Sequence, residues 1–370
     1  MDEEKGRLVA EIDYLKGRGA QMQSHNRFMK HEMVAEHIEG LDEPLITDAK
    51  TQVYIEHPKK MVNKITSPDL GMMNSMNPYQ GCEHGCIYCY ARNTHNYYGF
   101  SAGLDFERKI IVKPNAAELL RKHFDNPRYT PEQISIAGNT DCYQPLERKY
   151  KITRSLLEVM LEYKHPVGLI TKNGLILRDI DLLSELAKHK LVHVMVSITS
   201  LREELRLLME PRTATAKKRL QVIEELSKNN IPVGVMTAPI IPGLNSEEIP
   251  DIIKAVAERG GLTAGFTIVR LNGEVKNIFQ DWLYKSLPNS ADKIWNQIKE
   301  CHGGQVNDSR FGTRMRGEGK IAESIKQLFM MAKKKYMSGR TMPEYDFSLF
   351  KKPVKEGGQF DLFEGTNYTS

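Results

Sequence analysis

The chain has 370 residues, 40% of them hydrophobic and 27% charged, which supplies a sizeable core and no run near the roughly 20 apolar residues of a membrane span. Its 52 Lys and Arg against 47 Asp and Glu leave a net charge of +5, which permits a nucleic-acid partner without requiring one. The opening stretch MDEEKGRLVAEIDYLKGRG is charged throughout and lacks the apolar segment of a secretory signal, so a cytoplasmic protein with no membrane association is expected.

Residues 1–70 alternate polar stretches with short apolar pieces and read as an N-terminal extension whose fold the pattern does not specify. Beyond them, short apolar runs predict strands over 72–77, 133–138, 167–171, 191–198, 231–238 and 263–270. Amphipathic helices are predicted between them. Leu156, Leu157, Met160 and Leu161 share a face of 153–163, and Leu182, Leu183 and Leu186 do so in 180–189. Leu220, Ile223 and Leu226 mark 216–229, while 246–259 opens on an Asn245/Glu248 capping-box pattern and stops at Gly260-Gly261. Six apolar strands each followed by a helix imply an α/β fold with a parallel sheet, best matched by a partial (β/α)6 barrel over 71–275. A flat doubly wound sheet is the alternative, and both place ligands beyond the C-terminal ends of the strands. Residues 276–336, with helices over 291–301 and 321–335, form a helical C-terminal appendage, and 337–370 reads as a flexible tail.

Five cysteines, three of them within eight residues, fit a metal or redox centre in a reducing compartment better than a disulfide framework. Cys82, Cys86 and Cys89 follow the first predicted strand with the spacing C-x3-C-x2-C. Three thiolates hold three corners of a cubane cluster and leave one iron open, which separates a catalytic centre from a closed one. Gly81 and Gly85 suit a tight loop around such a cluster. The competing reading is a zinc or electron-transfer site that borrows His84, His95 or Cys301, although no second C-x2-C pair is present.

C-x3-C-x2-C with aromatic Tyr88 before the last cysteine resembles the signature of the radical S-adenosylmethionine (SAM) superfamily. The phrases NPYQGCEHGCIYCYAR, GNTDCYQPLERKYKITRSLLEV and GVMTAPIIPGLN are similar to its spore photoproduct lyase-related, DNA repair photolyase-like subgroup. The resemblance implies a [4Fe-4S] cluster on the three cysteines that binds SAM at its open iron. One-electron reduction then cleaves SAM to methionine and a 5′-deoxyadenosyl radical. It also implies a flavodoxin- or ferredoxin-type electron donor.

Carried onto this chain, the resemblance places Tyr88 against the adenine, Asn139, Thr140 and Asp141 beside SAM, and Lys172 and Ser197 at the methionine carboxylate. The bland alternative makes Asn139 and Asp141 turn caps and pairs Glu147 with Arg148 or Lys151. One departure bears on the substrate. The lyase's hydrogen-donating cysteine falls at Gly138 here, so repair of the spore photoproduct itself is not expected. Cys142, four residues on, is the substitute donor if its loop folds back, and otherwise an ordinary buried cysteine.

Arg270, at the end of the sixth strand, is a candidate partner for a carboxylate or phosphate. Arg310, Arg314 and Arg316 with Phe311 read either as a phosphate-binding loop or as a solvated one paired with nearby acids. In the tail, Gln359, Phe360, Asp361, Leu362 and Phe363 resemble the peptide by which bacterial repair proteins dock on the sliding clamp. The leading expectation is thus a radical SAM enzyme acting on nucleic acid, of a DNA-repair kind. Its alternatives are a protein or small-molecule substrate, or an iron–sulfur electron carrier.

Overall fold

The computed structural model describes residues 17–24, 51–71 and 74–353. Six strands form its centre: β1 (Asn74–Met76), β2 (Ile134–Ile136), β3 (Val167–Thr171), β4 (Val192–Ser197), β5 (Val233–Ile240) and β6 (Ala264–Ile268). Each pairs in parallel with the next in chain order, and a short strand, Asn63–Lys64, flanks β1 antiparallel. A sequential order has no reversal point, so the doubly wound alternative falls away. Among the described residues β6 does not pair back to the first edge, which makes the sheet an open, partial barrel.

The crossovers run through α1 (Ala116–Phe124), α2 (Ile152–Glu162), α3 (Ile180–Lys188), α4 (Ala216–Lys228) and α5 (Ile249–Glu258). Their apolar stripes meet the strands. Leu156, Leu157 and Met160 of α2 and Ile252, Ile253 and Val256 of α5 have no exposed surface, and they share one core with Val194, Val233 and Val235. Gly260, at φ +85°, ends α5 as expected of a left-handed cap. The Asn245/Glu248 capping box is not formed. Asn245 instead accepts Ile241 N–H at 2.7 Å and donates to the Thr199 carbonyl at 2.8 Å, while Glu248 accepts Ser200 Oγ and Leu201 N–H, each at 2.7 Å. Both side chains are drawn off the helix to join the β4 and β5 loops, a tertiary competition invisible to local pattern.

The C-terminal helices α6 (Val275–Ser286), α7 (Ala291–Glu300) and α8 (Gly319–Met337) are packed into the barrel. Trp282 and Phe279 of α6 and Ile294 of α7 share a second apolar cluster with Ile87 and Tyr88 of the cysteine loop. Ile325 and Phe329 of α8 enter the main core along α5. The expected flexible tail is corrected over 338–353: Tyr345 stacks on His193 at 3.9 Å, and Phe350 sits among Phe124, Tyr129 and Tyr163 beneath the barrel. A few well-spaced aromatics anchor a stretch whose average composition is polar. The peptide Gln359, Phe360, Asp361, Leu362, Phe363 lies outside the described residues. No helix among the described residues is long and apolar enough to cross a membrane.

Candidate active site

The cysteine loop leaves the end of β1 and is bent by two left-handed glycines, Gly81 at φ +81° and Gly85 at φ +69°. A Cβ at Gly81 would press on the Phe106 and Lys109 carbonyls, each at 3.0 Å. The loop is pinned from three sides. Cys82 N–H donates to the Phe106 carbonyl at 2.9 Å, and Ile87 N–H to that of Met209 at 3.0 Å. Arg92 donates from Nη2 and Nε to the Cys86 carbonyl at 2.9 and 3.1 Å.

Cys82 and Cys89 pack with Ala91 and Phe106, and Cys86 against Ile87 and Tyr88. Burial pushes all three thiols up, Cys86 to about 12, and a bound metal's positive charge would hold them as thiolates. No three His, Cys, Asp or Glu side chains among the described residues converge as for a single ion. A cubane, which spreads its thiolates over different irons, does not ask for such convergence, so this loop fits the cluster. The borrowed ligands of the zinc reading do not converge with the cysteines. His84 bonds Asn173 Nδ2 at 3.2 Å and faces Asp141 at 3.4 Å, His95 lies between Phe100 and Phe106, and Cys301 is buried in the main core.

Around the loop the strand ends deliver a buried polar network. Asp141, after β2, accepts Thr171 Oγ1 and Lys172 N–H, each at 2.7 Å, and Tyr143 N–H at 2.9 Å. Burial raises its pKa, but His84 and these donors overcome that and hold it at about 2. Lys172, after β3, lies 5.9 Å from the Tyr88 ring centre; burial lowers its pKa, and Glu210 and Cys86 more than restore it, so it stays charged. Glu210 accepts Thr199 Oγ1 at 2.7 Å and the Tyr88 hydroxyl, and pairs with buried Arg219 at 2.5 Å. Burial raises Glu210 too, but Arg219 and Lys172 reverse it, to about 2.

The expected residues divide into two groups. Tyr88, Asp141, Lys172 and Ser197 gather in this network, Ser197 through its carbonyl, which accepts Arg219 Nη1 at 2.9 Å. Asn139 and Thr140 tie the β2 end to the loop: both N–H groups reach Asn77 Oδ1, at 2.8 and 3.4 Å, and the Thr140 hydroxyl donates to the Tyr79 carbonyl at 2.7 Å. Glu147 pairs with Arg178 at 2.7 Å rather than with Arg148 or Lys151. Cys142 has no exposed surface and packs in the main core, a different cluster from Cys82 and Cys89, so its reading as a hydrogen donor is not supported.

Glu210, Arg219 and Glu107, the buried partner of Arg92 at 2.6 Å, escaped the sequence reading because nothing local distinguishes them from surface charges. Arg92 had one available signal, its place closing the phrase that begins at Asn77. At the mouth, Tyr90 is half exposed and donates to the Gly138 carbonyl, and Arg270 donates to the Asp308 carbonyl at 3.3 Å. Arg310 is taken up by Asp308 and Glu318, at 2.9 and 2.8 Å, and Arg314 by Asp69 at 2.6 Å while lying over the exposed Phe311 ring at 4.5 Å. The loop thus serves largely its own acids.

Residues 76–256 match the model of the radical SAM superfamily. An uncharacterized protein of Mycobacterium tuberculosis is 31% identical over 233 residues, 62% of this chain and 68% of that one. An uncharacterized protein of Methanocaldococcus jannaschii is 25% identical over 250 residues, 68% of this chain and 89% of that one. In fold the chain is similar to spore photoproduct lyase complexed with dinucleoside spore photoproduct, at a TM-score of 0.58 and 14% identity, covering 78% of this chain and 80% of that one. The chain belongs to the radical SAM superfamily and is a radical SAM enzyme. Membership implies a [4Fe-4S] cluster and SAM.

Proposed function

We propose that this enzyme acts on nucleic acid, in the first instance a DNA lesion. The supporting observation is the mouth beside the cysteine loop, where the exposed rings of Tyr90 and Phe311 stand with Arg270, while Arg314 is held by Asp69. Rings for stacking and guanidinium groups for phosphate are what a nucleotide needs. Burial and the neighbouring Arg314 lower the Arg270 pKa, the response of a cation that an incoming anion would relieve.

Cys82, Cys86 and Cys89 hold the cluster in this reading, and when bound it supplies the electron that cleaves SAM. Lys172 keeps a positive charge for the methionine carboxylate, and Ser197, whose carbonyl accepts Arg219, is the second residue assigned to it. Asp141 holds the Thr171–Lys172 turn in place, and Glu210 orients Tyr88 and balances Lys172. Because Gly138 replaces the lyase's donor cysteine, we assign a lesion other than the spore photoproduct.

The test is anaerobic reconstitution followed by SAM cleavage with and without ultraviolet-damaged oligonucleotide, using SAM deuterated at C5′. Damaged DNA is expected to accelerate 5′-deoxyadenosine formation if SAM is consumed, or to acquire label if 5′-deoxyadenosine returns a hydrogen and SAM is regenerated. Cleavage indifferent to DNA, with no label transferred, overturns the substrate and favours a protein or small molecule. We further propose that Gln359–Phe363 docks on the sliding clamp, a reading supported by the sequence alone; unchanged clamp affinity after deletion of 358–370 ends it. A flavodoxin- or ferredoxin-type donor completes the scheme.

A further inference from the structure

Residues 17–24 lie far ahead of the matched region 76–256, yet they run against the cysteine loop. Gly19 faces Gly85 so closely that a Cβ on it would fall 1.6 Å from the Gly85 carbonyl oxygen. Three residues on, the Met22 carbonyl lies 2.2 Å from where a Cβ on Gly103 would stand. Backbone thus meets backbone at two glycines, a contact that any side chain would prevent.

Between these points stands Glu107, whose side chain is fully buried. Its carboxylate accepts Ala20 N–H at 2.7 Å, Gly19 N–H at 3.2 Å and Arg92 Nη2 at 2.6 Å. Arg92 is the residue that holds the Cys86 carbonyl. One carboxylate therefore joins the N-terminal segment to the clamp on the central cysteine. The segment is secured further by Gln23 Nε2 on Asp105 at 2.9 Å and Ser24 N–H on Ser101 at 2.8 Å. Ala20, with no exposed surface, enters the apolar cluster of Ile87 and Tyr88 against which Cys86 packs.

We infer that residues 17–24 are a strap that completes the wall of the cluster site, with Gly19 and Glu107 as positioning residues for Cys86. This rests on the reading of Cys82, Cys86 and Cys89 as the cluster ligands. The strap covers the loop at 85–88 and limits the access of water and dioxygen to the partly exposed Cys86 corner. A displaced strap takes two donors from a buried carboxylate and loosens the Arg92 clamp without removing a cysteine.

The test compares full-length Gly19→Val and Ala20→Asp with the parent and with Met331→Ala, on the exposed surface of α8. Cluster bleaching in air is followed by absorbance after anaerobic reconstitution. In cluster-free protein, iodoacetamide alkylation of Cys86 is followed by mass spectrometry, with core-buried Cys142 as the internal control. Both strap variants are expected to bleach and to alkylate at Cys86 about tenfold faster, the scale of a local opening, with Cys142 unchanged and amide exchange raised at 17–24 and 81–89. Met331→Ala should follow the parent. Parent-like bleaching and Cys86 alkylation in both variants overturns the strap, as does equal acceleration at Cys142, which signals general unfolding. A parent chain that takes up no iron overturns the cluster reading, while alkylation and exchange still decide the strap.

Discussion

At the C-terminal ends of the strands, Asp141, Lys172, Glu210, Arg219 and the Arg92–Glu107 pair are withdrawn from water beside three thiols. At the opposite end, residues 338–353 close the barrel with Phe350 among Phe124, Tyr129 and Tyr163, and with Tyr345 on His193. Buried ion pairs contribute little net stability against apolar residues of the same volume, whereas aromatic packing is stabilising outright. The upper end gives up stability to hold charges at fixed points, and the lower end restores it where no chemistry occurs. Such a division is the physical expectation for a barrel that binds ligands at one face.

The sharpest way to break this comparison is at the thiols. Alanine at Cys82, Cys86 or Cys89 is expected to abolish iron retention and 5′-deoxyadenosine formation, as read by iron analysis and chromatography. Any one variant that keeps both would separate the chemistry from the loop. Next in size is Glu210→Ala, which strands Arg219 in a buried site; a loss of about 3–5 kcal/mol in urea unfolding is expected, with weakened SAM binding. Phe350→Ala, at the lower end and only partly buried, should cost about 2 kcal/mol and leave SAM cleavage per folded enzyme unchanged.

Acid sharpens the same contrast. Burial lowers His165 to about 3, and its ring nitrogens are satisfied in the neutral form by Tyr129 Oη at 2.7 Å and the Pro166 carbonyl at 2.9 Å. The unfolded chain takes up that proton below its ordinary value of 6.5 while the native chain does not, so stability falls with pH from there toward 3. Asp141 and Glu210, both held near 2, work in a lower window: their contribution is present above ordinary carboxylate values and is lost as pH falls through 2. Amide exchange at pH 5 should therefore rise around 124–129, 163–166 and 345–351 before it rises at 139–143. The smallest effect is Tyr345→Phe, which removes the hydroxyl from the Val167 carbonyl at 3.2 Å and should cost about 1 kcal/mol or less.

Six apolar runs predicted the six strands, and the stripes in α2 to α5 predicted their helices, because period and burial are written locally. The cysteine spacing and the glycines that bend the loop were legible for the same reason. Helix α1 escaped although its buried Ala116, Leu120 and Phe124 fall four apart on one face, and α6 because it follows the last strand, where the alternation ends. The tail was misjudged on average composition, since three or four aromatics suffice to dock it. By itself the sequence determined the strand–helix alternation and the identity of the thiols, while the open barrel awaited the strand order. Only the tertiary structure decided that Glu210 meets Arg219, that Glu107 joins the strap to Arg92 and that Cys142 belongs to the core. Those facts depend on which distant side chains share a dry space, and no local period encodes that.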